Sequence, residues 1–166
     1  ALHRTPQNVK FLIVGSGEEE QKLRMLSQME GVSERVQFFG QVAPEEIPAY
    51  LAIGDIFIRP SLSEGMGNSF IEAMAAGLPV IGTQVGGISD FLFDRKRNPD
   101  KPPTGFAVDI NSPEQIAQQI MYILNNQEEV LKTVQNARAL VQEKYDWDLI
   151  TREMKEVFVR VKSESL

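Results

Sequence analysis

The sequence predicts an α/β fold on a parallel sheet, and three observations carry that prediction. Val9–Val14 (VKFLIV) is a short, nearly continuous apolar run closed by Gly15, which is how a strand buried on both faces reads. Segments of helical periodicity lie between such runs. Strand and helix signals alternate along the chain, the signature of βαβ units. The expected architecture is a Rossmann-like sheet of about five parallel strands flanked by helices, with a helical C-terminus. At 166 residues the chain fits one domain with a core of ordinary size.

Each element has its own signal. Residues 1–8 read as a tail or the end of a preceding helix. After the first strand, Leu23, Leu26 and Met29 recur every third residue near one helix face, and Gly31 stands where a glycine ends a helix. Val36–Phe39 is a second strand closed by Gly40. Pro44, Glu45 and Glu46 open a short helix, which Pro48 keeps short or kinked. Asp55–Arg59 is a third strand. Asn68 or Ser69 caps a helix running to Ala76, Gly77 stops it and Pro79 prevents its resumption. Val80–Gly82 is a fourth strand, Ile88–Phe93 a short helix, and residues 94–105 an exposed, mobile loop. Phe106–Asp109 is the last strand. Ser112, Pro113 and Gln115 form a helix start with a capping box. Three helices follow, at about 113–126, 128–144 and 148–162. The last carries an apolar stripe of Ile150, Met154, Val157, Phe158 and Val161, with Trp147 as its packing anchor.

Composition excludes several classes. The formal net charge of −6 argues against non-specific binding to nucleic acid or acidic membrane. There is no cysteine, hence no disulfide framework, thiolate metal site or cysteine nucleophile. The single histidine, His3, leaves no material for a histidine metal site or a Ser-His-Asp triad. No apolar run approaches the ~20 residues of a membrane span.

Ligands of parallel sheets gather at the C-terminal ends of the strands. Residues 59–87 supply two such loops. In the first, Gly65 and Gly67 let the backbone approach a ligand, and free N–H groups at the following helix terminus make an anion site. Asn68 and Ser69 add donors. The structural alternative is a capped helix, with Ser69 at N-cap and Glu72 closing a capping box. Glu64 and Glu72 bracket the loop, eight residues apart. Such a pair can bind hydroxyls or stabilise a cation. Gly86–Gly87 is either a wall of the same site or a turn needing positive φ. Arg59 ends an apolar strand; it can serve a phosphate, but pairing with a surface acid is the favoured reading. The other glycine pair, Gly15 and Gly17, precedes Glu18, Glu19 and Glu20. Those charges repel a pyrophosphate, so a tight turn before a helix is the reading there.

The run from Pro60 to Gly87 (P-S-x-x-E-G-x-G-N-x-F-x-E-A-M-A-x-G-x-P-V-I-x-T-x-V-G-G) strongly resembles the nucleotide-sugar-binding half of retaining GT-B glycosyltransferases, family 4, the glycosyl transferases group 1 domain. KFLIVGSG, VQFFGQV, IFIRPS and TGFAV extend the resemblance over nearly the whole chain. The resemblance implies transfer of a sugar from a nucleoside diphosphate sugar, with retention, to an acceptor that is a glycan, a lipid or a small molecule. Glu64 is the implied catalytic carboxylate, contacting donor-sugar hydroxyls, and Glu72 is implied to bind the ribose. The backbone from Gly65 through Met66, Gly67 and Asn68 to Ser69 is implied to touch sugar and diphosphate. Gly40–Val42 is implied to lie near the base. No metal and no cofactor are implied, since protein cations balance the diphosphate in this family.

The chain departs from the family in what precedes Ala1. The family opens this domain with a central strand carrying G-R and a loop with K-G, in a sheet ordered 3-2-1-4-5-6. Those cations, that strand and the N-terminal acceptor domain are expected to be absent. The flanking strands are then expected to pair directly, or another copy of the chain to fill the gap by self-association. The G-G-x-P-E turn is here Gly86-Gly87-Ile88-Ser89-Asp90, with a shorter acid. The expected fragment is inactive alone, because an acceptor site and leaving-group cations lie outside it. The expected location is cytoplasmic, with peripheral attachment to the inner face of a membrane through the absent domain. Rival readings are a GT-B sugar-nucleotide epimerase half, a non-catalytic nucleotide-sugar-binding subunit and, disfavoured by Glu18–Glu20, half of a dinucleotide oxidoreductase.

Overall fold

The computed structural model describes residues 1–164. Its elements run β1 (Phe11–Val14), α1 (Glu20–Met29), β2 (Val36–Gly40), α2 (Ile47–Ala52), β3 (Phe57–Arg59), α3 (Asn68–Ala75), β4 (Val80–Thr83), β5 (Phe106–Val108), α4 (Pro113–Asn125), α5 (Gln127–Lys144) and α6 (Trp147–Glu164). A 3₁₀ turn, Gly86–Asp90, replaces the short helix expected after β4.

The five strands are parallel but form two sheets, β1–β2 and β3–β4–β5. The five expected parallel strands are found, but the direct pairing expected between β1 and β3 does not form. β1 and β3 share no ladder, and each keeps an edge without a neighbouring strand. Phe11 of β1 nonetheless packs with Ile56 and Ile58 on the same apolar cluster.

β4 is buried at every position. Val80 joins a cluster containing Phe70, Met74, Phe91 and Val141, while Ile81 joins Phe106, Val108, Ile116 and Ile120. Successive side chains point to opposite sheet faces, so α3 and the later part of α5 (Ala137, Val141) cover one face, and α4 with the start of α5 (Val130) the other. Gly82 is required by this packing. A Cβ there would lie 2.5 Å from the Phe70 ring, whose complete burial contributes about 2–3 kcal/mol.

Two polar networks complete the frame. Arg35 donates to Val9 O (3.0 Å), Leu2 O (3.0 Å), Thr5 Oγ1 (2.8 Å) and Pro6 O (2.7 Å), tying residues 2–9 to the start of β2. Residues 94–105, expected as a mobile loop, are anchored at both ends. Buried Asp94 accepts from Lys96 N (2.8 Å) and Ala107 N (3.0 Å), and buried Thr104 accepts from Phe93 N (2.8 Å). The middle of the segment is exposed as expected.

Two apolar stripes lie open. Leu23, Leu26 and Met29 of α1 are exposed, as are Met154, Val157 and Phe158 of α6. Trp147 is 78% exposed and anchors nothing within the described residues. The Ser112 capping box does not form either. The Gln115 side chain turns to Asp109, accepting from its N–H (2.8 Å) and donating to its carboxylate (2.7 Å). No described helix is long and apolar enough to cross a membrane.

Candidate functional site

The loop from β3 to α3 and the turn after β4 meet at the C-terminal ends of their strands. Gly87 N donates to Gly65 O at 2.9 Å. A Cβ at Gly86 would sit 2.0 Å from Glu64 O, and one at Gly87 would sit 2.4 Å from Gly65 O. Gly86 also has φ 54°, so the turn reading of this glycine pair holds, and the pair packs against the Glu64–Gly65 backbone.

Helix α3 begins at Asn68, ahead of the start that a cap at Asn68 or at Ser69 would give. Its N-cap is Gly67, left-handed at φ 73°, and no side chain caps it. Ser69 therefore lies inside the first turn, and its hydroxyl accepts from Arg59 Nη1 at 2.7 Å. The Ser69–Glu72 capping box is thus replaced by a longer-range partner. Glu72 is exposed and its carboxylate makes no hydrogen bond or ion pair among the described residues. Among the described residues the N–H groups of Gly67, Asn68 and Ser69 make no hydrogen bond, while Phe70 N closes onto Gly67 O at 2.9 Å. Three adjacent donors at the positive end of α3 make a cradle for an anion.

Glu64 occupies the other rim, with its side chain 16% exposed. Its Oε2 takes an ion pair from Arg59 Nη2 at 2.9 Å and a hydrogen bond from Ser61 Oγ at 3.1 Å. Arg59 is thus paired with the loop carboxylate and not with a surface acid, the reading the sequence favoured. The backbone of Ser61 is held in turn by the hydroxyl of buried Thr83, which donates to Ser61 O at 2.5 Å. Ser61 and Thr83 were not singled out from the sequence; a serine after a strand-ending proline and a threonine at a strand end carry no local signal for this contact.

The structure thus brings Glu64, Gly65, Met66, Gly67, Asn68 and Ser69 together with Gly86 and Gly87. Gly40 and Val42 stand at and just beyond the end of β2, in the other sheet, where Gly40 O accepts from Gly15 N at 2.7 Å. No hydrogen bond or ion pair joins them to the Glu64 loop among the described residues. No cluster of three or more acidic or histidine side chains that could hold a metal ion occurs among the described residues.

Fold and site define a parallel α/β domain in which two strand-end loops meet beside the N-terminus of α3. Residues 1–140 match the family described as glycosyl transferases group 1. The chain belongs to that family. It is 30% identical over 161 residues to a GDP-mannose-dependent alpha-(1-6)-phosphatidylinositol monomannoside mannosyltransferase of Mycobacterium tuberculosis, covering 93% of this chain and 40% of that protein. The fold superposes on Anabaena HepE in complex with UDP-glucose with a TM-score of 0.84, at 24% identity over 96% of this chain and 43% of that one. TarM of S. aureus, in a complex containing UDP, gives a TM-score of 0.76 at 26% identity, covering 90% of this chain and 29% of that one. The chain therefore spans less than half the length of these relatives.

Proposed function

We propose that this chain is the donor-binding half of a retaining glycosyltransferase, which moves a sugar from a nucleoside diphosphate sugar to an acceptor. The observation that carries the reading is the cradle itself: three N–H groups at the start of α3 without a partner among the described residues, the Glu64 carboxylate beside them and the Gly86–Gly87 wall. A diphosphate matches the donors and the helix dipole. The carboxylates suit hydroxyls, Glu64 those of the donor sugar and Glu72 those of the ribose. Gly40–Val42 lie toward the base. Membership of the family, the GDP-mannose dependence in the name of the Mycobacterium tuberculosis relative and the UDP held by TarM support this assignment.

The acceptor domain, further cations for the leaving group and a strand between β1 and β3 come from outside these residues. The two edges left without a ladder support that division. Alone, the chain binds donor without transferring sugar, and no metal or cofactor takes part.

Calorimetry with UDP, GDP, ADP and their sugar conjugates tests the reading. Ligand at a hundredfold excess over Kd should raise stability by about 2.7 kcal/mol. Glu72→Ala should weaken the bound nucleotide about tenfold. It should leave stability within about 0.5 kcal/mol, since the exposed Glu72 side chain makes no hydrogen bond or ion pair among the described residues. A Glu72→Ala variant that melts early and binds normally would return Glu72 to a helix-stabilising role.

A further inference from the structure

Arg59 reaches the site by strand geometry. Phe57 and Arg59 are two apart on β3 and so share one sheet face. The Phe57 ring stacks edge-on against Phe70 of α3 at 5.2 Å, which fixes that face toward α3. Arg59, one repeat further along, is delivered to the first turn of the same helix. There its guanidinium bridges Ser69 Oγ and Glu64 Oε2.

The two oxygens of Glu64 are treated differently. Oε2 receives both Arg59 Nη2 and Ser61 Oγ, whereas Oε1 has no partner among the described residues. No buried side-chain oxygen is left unsatisfied among the described residues, so Oε1 faces solvent. The carboxylate is held by one oxygen and offers the other to whatever enters the cradle. A free Glu side chain at a loop tip would sample many rotamers; two fixed donors on Oε2 remove that freedom before ligand arrives.

We propose that Arg59 and Ser61 are positioning residues: they lock Oε2 of Glu64 so that Oε1 meets the sugar hydroxyls of the donor. This rests on the donor-site reading above. Arg59 then governs how well the protein tells a nucleotide sugar from the bare nucleotide, because only the former has hydroxyls for Oε1. Its charge is spent on Glu64 and not on the diphosphate.

The test is calorimetry on the whole protein with UDP, UDP-glucose, GDP and GDP-mannose. The readout is the affinity ratio of sugar conjugate to bare nucleotide. Arg59→Met should lower that ratio about tenfold while moving the bare-nucleotide Kd less than about threefold. Ser61→Ala should shift the ratio in the same direction, and Arg59→Lys should restore part of it. In a Glu64→Gln background, Arg59→Met should add nothing. If Arg59→Met weakens bare nucleotide and conjugate equally, or still acts when Glu64 is Gln, the guanidinium serves the ligand directly and the inference is overturned. Should Arg59→Met fail to fold, Ser61→Ala decides: an unchanged ratio there overturns it as well. If the wild-type protein binds none of the four probes, the donor-site reading fails first.

Discussion

Replacing Gly87 by alanine tests the meeting of the two loops. The new Cβ would lie 2.4 Å from Gly65 O and 3.3 Å from Met66 Cα. Real contacts of this kind do not fall below 3.0 Å, so the loops must part by about 0.6 Å. That stretches the Gly87 N–Gly65 O hydrogen bond, now 2.9 Å, out of its effective range. Loss of that bond costs about 1 kcal/mol and the forced separation adds about 1 kcal/mol or more. The expected loss of stability is about 2 kcal/mol, read from urea denaturation. The displaced loop carries the N–H cradle, so affinity for the nucleotide sugar should fall about tenfold or more. Gly65→Ala is the matched comparison for stability. A Cβ there meets nothing within 4 Å, so its stability should stay within about 0.5 kcal/mol of wild type. If Gly87→Ala denatures and binds as wild type does, the two loops do not form one site.

Two further predictions concern the frame. Arg35→Met removes four hydrogen bonds to residues 2–9, and should destabilise the chain by about 2–3 kcal/mol in urea; an unchanged midpoint would mean that Leu2 packing and the His3–Glu30 and Arg4–Glu114 contacts suffice to hold the N-terminal segment. Tyr145, packed edge-on against Phe91, has its phenol pKa raised above 10.0 by burial and, secondarily, by the charge of Asp90. The folded state thus holds this proton more tightly than the unfolded state does. Its contribution is complete below the unfolded value and is lost as pH rises through the folded one. Urea midpoints followed from about pH 9 to about pH 11 should fall less steeply for Tyr145→Phe than for wild type, and parallel curves would contradict the assignment.

All five strands were legible, but only β4 and β5 are buried throughout; β1, whose apolar run reads as buried on both faces, leaves Leu12 exposed. Gly31 and Gly77 were legible as helix stops and adopt φ 62° and 83°. The start of α3 was not. Ser69-x-x-Glu72 is a good local capping pattern, yet the serine hydroxyl is engaged by an arginine ten residues back in sequence. A local pattern cannot anticipate a competitor delivered by another element. The same holds for Gln115, drawn to Asp109, and for Asp94, whose role emerges only when Ala107 N–H arrives beside it. The stripes of α1 and α6 show a further limit. Periodicity announces an apolar face, but whether anything covers it depends on neighbours the pattern does not name.

The sequence by itself determined the α/β class, the sites of the strands and the placing of the two glycine loops between Arg59 and Gly87 at strand ends. Those features follow from local periodicity, glycine placement and helix starts, all of which act over a few residues. Only the tertiary structure decided that the strands divide into two sheets, that Gly86–Gly87 closes on Gly65 and that Arg59 and Ser61 share one oxygen of Glu64. Those facts rest on which surfaces meet across the fold, and that is set by packing between elements far apart in the chain.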